Sequence, residues 1–260
     1  MSSVCVATPV SHLFHDMETA RKIIEKSDCL EARERTVDLE FPKRKLFHVD
    51  IDITHPWNHD RRGYLEDCFS KLVELELVTF QATVNCAEPQ LREGMFYSGG
   101  DTFSAQEMKQ NATLNIEWLR NNLSSGVQIG IENNNYYPTS AYETVTDADF
   151  LSEVVNENEI NFLFDIAHAF VTAHNRGIDF EEYLKNLPME RCIQLHLCQP
   201  VVDANGLAID AHGLPEGDLL QRARSLIKDY HIRYLTVEFY KDPIGLIGIL
   251  EQEREFFHLV

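Results

Sequence analysis

Short apolar, β-rich runs alternate with amphipathic helical stretches from one end of this 260-residue chain to the other. The runs are Val4–Val10, Cys29–Glu34, Lys45–Ile53, Leu77–Asn85, Val127–Asn133, Asn161–Ala167, Cys192–Cys198 and Tyr234–Phe239. Between them stand METARKIIEKS, YLEDCFSKLVEL, SAQEMKQNATLNIEWLRNNL, DADFLSEVV, DFEEYLKNL and DLLQRARSLIKDY, and IGLIGILEQEREFF follows the last. These stretches set apolar residues at i, i+3 and i+4, the spacing that gathers them on one helix face. Strands that each lead into a helix line up in parallel, and eight such βα units in this length predict an α/β fold, the (β/α)8 TIM barrel. A doubly wound open sheet is the other arrangement of such units, but no GxGxxG follows any run. With no linker, low-complexity tract or internal repeat, a single domain over residues 1–260 is expected.

Charge narrows the partners. The formal net charge is −19 at pH 7, which repels a polyanion over most of the surface. The one dense basic cluster, PKRK at Pro42–Lys45, is too short to line a groove, so no nucleic-acid partner is expected. No apolar run approaches the ~20 residues that span a bilayer, and the N-terminus lacks a basic segment followed by an apolar one. Neither a membrane partner nor secretion is expected. The six cysteines are scattered with no CxxC, the pattern of reduced thiols in a cytoplasmic protein.

A barrel turns sequence position into spatial position, because the C-terminal ends of its strands converge on one mouth. The stretch FDIAHAFVTAHNRG puts Asp165 and His168 at the end of the sixth run. The fifth run ends in Glu132, the seventh carries His196, and the loop after it supplies Asp210 and His212. The eighth holds Glu238 between apolar neighbours, and the third offers His48, Asp50, Asp52 and His55. Each of these alone has an ordinary structural explanation, as a hydrogen-bonded core histidine, a solvated acid or a turn. Together they bring acids and imidazoles to one place, and burying several carboxylates is costly unless cations neutralise them. Mixed His and carboxylate donors suit iron, manganese or zinc, and so many candidate ligands exceed the four to six that one ion uses. Two or more divalent transition-metal ions are therefore expected.

The same residues carry a resemblance. Asp-x-x-His after the sixth strand, His on the seventh, Asp-x-His in the following loop and Glu on the eighth resemble the metal constellation of the xylose isomerase-like barrels. The second half of the chain is similar to one branch, the multinuclear non-heme iron-dependent oxidative enzymes that include the methanobactin-biosynthesis oxidase. The likeness runs through FDIAHAF, NRG, YLKNLP, HL and DAHGLP, and IENNNYY resembles the branch's Glu-Asn strand end. The resemblance implies bound iron and oxygen-dependent modification, typically of cysteine in a ribosomally made peptide. It implies His48, Glu132, Asp165, His168, His196, Asp210, His212 and Glu238 as metal ligands, with His55 as the alternative to His48. It sets Asn133, Gln81 and His55 around the ions on the substrate side. Gln81 stands where the branch commonly has a histidine, and His168 where it often has asparagine. A neutral amide is a weaker ligand than imidazole, so two ions are expected to bind firmly and a third weakly.

Three functions fit these residues. The first is an iron oxidase acting on a cysteine-bearing peptide or another thiol, with a peptide-recruiting protein as a partner. The second is a sugar isomerase or epimerase, in which Glu132 and Glu238 bridge a divalent ion and one serves as catalytic base. The third is a non-catalytic barrel whose polar mouth holds a small ligand.

Overall fold

The computed structural model describes residues 4–258. Its eight parallel strands are β1 (Cys5–Pro9), β2 (Cys29–Arg33), β3 (Arg44–Asp52), β4 (Leu77–Gln81), β5 (Gln128–Glu132), β6 (Asn161–Asp165), β7 (Cys192–Leu197) and β8 (Tyr234–Val237). Each pairs with the next, and β8 closes on β1 to complete the barrel. The helices outside it are α1 (Met17–Lys26), α2 (His59–Ser70), α3 (Ala105–Asn122), α4 (Ala148–Glu157), α5 (Ile166–Arg176), α6 (Phe180–Asn186), α7 (Gly217–Asp229) and α8 (Pro243–His258). Two hairpins, Gln90–Arg92 with Met95–Tyr97 and Gln199–Val202 with Ala208–Gly213, sit in the loops after β4 and β7. Among the described residues no helix is long and apolar enough to cross a membrane.

All eight expected strands are present, but the helices depart from strict alternation. Only a short 3-10 turn, Glu34–Thr36, joins β2 to β3, while β6 is followed by both α5 and α6. The sixth run was expected to continue as strand to Ala167. It turns helical at Ile166, because the Asp165 carboxylate caps the new helix by accepting from the His168 backbone N–H. His168 thus sits in the first turn of α5 and not on a strand. Gly177 ends that helix at φ 65°, a left-handed conformation that glycine adopts without Cβ strain.

The main core fills the space between strands and helices. Leu30, Ala32, Phe47, Val78, Ile131, Phe162, Phe164, Leu195 and Leu235 are buried there with apolar helix residues such as Ile23, Leu65, Ile116, Val154 and Leu250. Full burial of each leucine, isoleucine, valine or phenylalanine among them stabilises the fold by about 1.5–3 kcal/mol. Alternate strand residues point into the barrel. Near the strand starts, Ala7, Cys29, Leu46, Leu77 and Tyr234 pack against one another as an apolar plug. Further along the same strands the interior turns polar.

Strand register decides what meets in that polar layer. Arg33 pairs with His48 across β2 and β3, Gln81 with Glu132 across β4 and β5, and Asp165 with His196 across β6 and β7. Val237 pairs with Leu197, so Glu238 is the first residue past the end of β8. One ring of functional side chains results.

Candidate metal centre

Asp165 is fully buried, and its two carboxylate oxygens have different partners. Oδ1 accepts from the His168 backbone N–H at 2.8 Å, while Oδ2 has no hydrogen-bond partner. The imidazole of His168 is oriented from behind, where Nδ1–H donates to the carbonyl of Asn133 at 2.8 Å. That bond leaves Nε2 facing Asp210 Oδ2 at 3.5 Å and Asp165 Oδ2 at 3.9 Å. Fixing one ring nitrogen with a backbone carbonyl is the usual way a ligating imidazole is aimed.

Glu132 lies between three imidazoles. Its Oε1 is 3.1 Å from His196 Nδ1 and 3.8 Å from His168 Nδ1, and its Oε2 is 3.4 Å from His48 Nε2. His196 Nδ1 also faces Glu238 Oε1 at 3.3 Å and Asp165 Oδ2 at 3.9 Å, yet makes no hydrogen bond. Its other nitrogen, Nε2, donates to Glu31 Oε2 at 3.0 Å, and the Gln194 amide Nε2 donates to the same oxygen at 2.6 Å. Glu238 Oε2 looks the other way, to His212 Nδ1 at 3.6 Å, and His212 Nε2 lies 3.3 Å from Asp210 Oδ2. Cys198 Sγ donates to Asp210 Oδ1 at 3.1 Å.

The eight expected ligands therefore converge on one mouth, and of the two alternative histidines His48 lies in it and His55 does not. His48 is fully buried in the mouth, with Nδ1–H donating to Thr79 Oγ1 at 2.9 Å and Nε2 accepting from Gln81 Nε2 at 3.2 Å. His55 packs elsewhere, bonded to the Val84 carbonyl at 2.8 Å and tilted against Phe103. Asp52 holds the backbone N–H groups of Thr54 and Thr83, and Asp50 is exposed. Gln81 also reaches Glu132 Oε2, at 3.4 Å. Asn133 is fully buried behind the mouth, its Oδ1 accepting from Asp165 N–H and its Nδ2 donating to the Asp165 carbonyl. Both ends of its amide serve to join β5 to β6.

Four residues not anticipated from sequence belong to the same ring. Glu31 and Gln194 are fully buried, and Arg33 pairs with Glu31 Oε1 at 2.6 Å and with Glu238 Oε1. Cys198 closes the opposite side beside Asp210 and His212. The signal for Glu31 and Arg33 was the period-two pattern of CLEAR, in which Leu30 and Ala32 face the helices while Cys29, Glu31 and Arg33 face the interior.

Burial and charge work against each other throughout this ring. Burial alone would raise Glu132, but His48, His168 and His196 outweigh it and hold the carboxyl at about 2. Asp165 goes the other way, pushed up to about 7 by burial, with His168 opposing and the charges of Glu132 and Asp210 adding. Burial would lower His168 and His196, yet the carboxylates around them lift both well above the ordinary imidazole value. His48 is lowered, by burial and by the Arg33 charge. Divalent cations fit this surplus of acids, and the unpartnered Asp165 Oδ2, His196 Nδ1 and His212 Nδ1 are donor atoms aimed inward with nothing to bind. Three groups each bring ligand atoms within 4.8 Å of one another: Glu132, Asp165 and His168; Cys198, Asp210 and His212; and Glu31, His196 and Glu238.

Residues 104–231 match the MbnB/TglH/ChrH family of RiPP precursor modification enzymes. Over that stretch the chain is similar to this family. The family segment holds Glu132, Asp165, His168, His196, Asp210 and His212, whereas Glu31, Arg33, His48 and Glu238 lie outside it. A UPF0276 protein of Caulobacter sp. strain K31 is 33% identical over 150 residues, covering 55% of this chain and 52% of that one. A UPF0276 protein of Neisseria meningitidis serogroup C is 29% identical over 145 residues, covering 54% and 51%. The chain spans about half the length of the curated relatives it matches. Among solved structures, D-psicose 3-epimerase of Clostridium cellulolyticum H10 superposes with a TM-score of 0.62 at 10% identity, over 99% of both chains. A Rhodospirillum rubrum protein provisionally named xylose isomerase gives 0.63 at 10% identity, over 95% and 97%. These likenesses establish the xylose isomerase-like barrel fold.

Proposed function

We propose that this barrel is a multinuclear non-heme iron oxidase that modifies a thiol, most simply a cysteine in a ribosomally made peptide. The observation that carries the reading is the inward-facing trio of unpartnered donor atoms, Asp165 Oδ2, His196 Nδ1 and His212 Nδ1, inside a ring of acids. The match to a family of precursor-peptide modification enzymes supports it.

Glu132, Asp165 and His168 would hold one ion, with Asp210, His212 and Glu238 holding a second and His196 facing both. When bound, iron would supply the electron chemistry with dioxygen as the oxidant. The protein residues do the rest. Glu132 and Glu238 flank His196 Nδ1 at 3.1 and 3.3 Å, so the proton this nitrogen carries between them would leave when an ion binds there. His212, half-exposed at the rim, is the candidate ligand nearest the solvent from which a thiol would arrive. A partner protein that recruits the peptide belongs to this proposal as well.

A second reading, a divalent-metal sugar isomerase or epimerase, draws on that same pair of glutamates beside one imidazole. In it one carboxylate removes a proton next to a carbonyl while the other holds the ion. The two readings separate in one experiment. Protein reconstituted with ferrous iron should consume oxygen when given a cysteine-bearing peptide, and zinc-loaded protein should not. Epimerisation of a ketose under manganese or magnesium, without oxygen, would replace the oxidase with the isomerase.

A further inference from the structure

The ring contains one cation that cannot leave. Arg33, at the end of β2, sends Nη2 to Glu31 Oε1 at 2.6 Å and also to Glu238 Oε1, binding two of the three residues in one of the candidate ion-holding groups. The imidazoles of the mouth can yield to a metal by losing a proton. A guanidinium cannot, because it stays charged at any pH the fold survives. Arg33 also stands directly across the ladder from His48, whose Nε2 is already capped by the Gln81 amide. The β2–β4 side of the mouth is therefore occupied by the protein's own donors.

Resting on the metal reading above, we infer that Arg33 is a built-in substitute for a metal ion. It neutralises Glu31 and Glu238, confines the ions to the β5–β7 side of the mouth, and so sets how many ions the chain holds. Glu238 keeps Oε2 free for that side, where it already faces His212. Removing the guanidinium would leave Glu31 and Glu238 buried with only the His196 imidazole as a shared counter-charge, an unfavourable state that a divalent ion between them would relieve. Glu31, Glu238 and His196 supply three ligand atoms at the right separation.

The test is a metal count. Wild type, Arg33→Lys and Arg33→Met are loaded anaerobically with ferrous iron, desalted and assayed by elemental analysis, and the melting temperature is read with and without iron. Arg33→Met is expected to hold about one ion per chain more than wild type, and to gain more from iron in melting temperature. Arg33→Lys, which keeps the charge, should match wild type. Equal counts in all three proteins, with wild type loaded, overturn the role of Arg33 and leave the metal site standing. No metal in wild type overturns the site itself and this inference with it. If Arg33→Met fails to fold with or without iron, Arg33→Gln provides the same count, and the same comparison decides.

Discussion

Asp165 is joined to His168 through the backbone: one carboxylate oxygen caps the first turn of α5 at 2.8 Å while the other points, unpartnered, at the side of the mouth that His168 Nε2 also faces. The helix start and the candidate ligand pair are the same four residues. A substitution can break one role and spare the other.

Asp165→Asn keeps an oxygen that can cap, so the metal-free protein should melt within about 1 kcal/mol of wild type, a cap's ordinary worth. Its metal content should nevertheless fall sharply. Asp165→Ala should lose both the cap and the metal. Elemental analysis beside denaturant melts of the metal-free proteins checks this, and unchanged metal in Asp165→Asn removes Asp165 from the ligand set.

Asn133→Ala should show the opposite pattern. It strips partners from the Asp165 backbone N–H and carbonyl, both buried, which predicts a loss of roughly 1–3 kcal/mol. The loss should appear in urea melts of the metal-free protein. A melt identical to wild type would mean that the β5–β6 junction does not depend on this amide.

Metal affinity should rise with pH. His168 and His196 are raised well above the ordinary imidazole value, so at neutral pH both carry protons that an incoming ion must displace. Each displaced proton sharpens the dependence by up to about tenfold in affinity per pH unit. The metal-free fold should respond in the reverse sense. Groups raised on folding, including Asp165 at about 7, contribute stability below their unfolded values that is lost as pH climbs through the folded ones. Metal-free protein should thus weaken from near neutral upward, and loaded protein should not. Titrations and melts from pH 6 to 9 report both, and a flat affinity contradicts the protonated imidazoles.

Gln81→His should strengthen metal retention next to His48. Gln81 Nε2 donates to His48 Nε2 at 3.2 Å, so the amide occupies the nitrogen that would bind an ion, whereas a second imidazole would add a donor. The variant should keep more iron through desalting than wild type. No change would place the ions wholly away from β4.

The barrel was legible because each strand is a short apolar run buried on both sides, which reads the same whatever its neighbours. α5 was not, since nothing interrupts the chain between Asp165 and Ile166, and a helix buried at Ile166, Ala167, His168, Ala169, Val171, Thr172 and Ala173 shows no polar face to reveal its period. Between β2 and β3 the sequence offered no helical stretch, and the structure has only the short 3-10 turn there. The ring was legible wherever imidazoles and acids stood at strand ends. Glu31 and Arg33 were passed over because charged residues in a five-residue run look solvated until closure places them inside. His55 read as an alternative to His48 because seven residues along a strand and its loop cannot be told apart in reach until the chain turns.

The ring also records how the barrel closes. Arg33 and Glu238 are 205 residues apart in sequence and meet across the β1–β8 junction, as Glu31 and His196 meet across 165. Contacts of such separation form late, because a long stretch of chain must be ordered before they reward it. The staves that complete the mouth are expected to meet last, so a partly folded chain would offer only scattered acids and imidazoles. In assembly terms the centre behaves as a keystone: whatever ions it holds are gathered after the arch around it is standing.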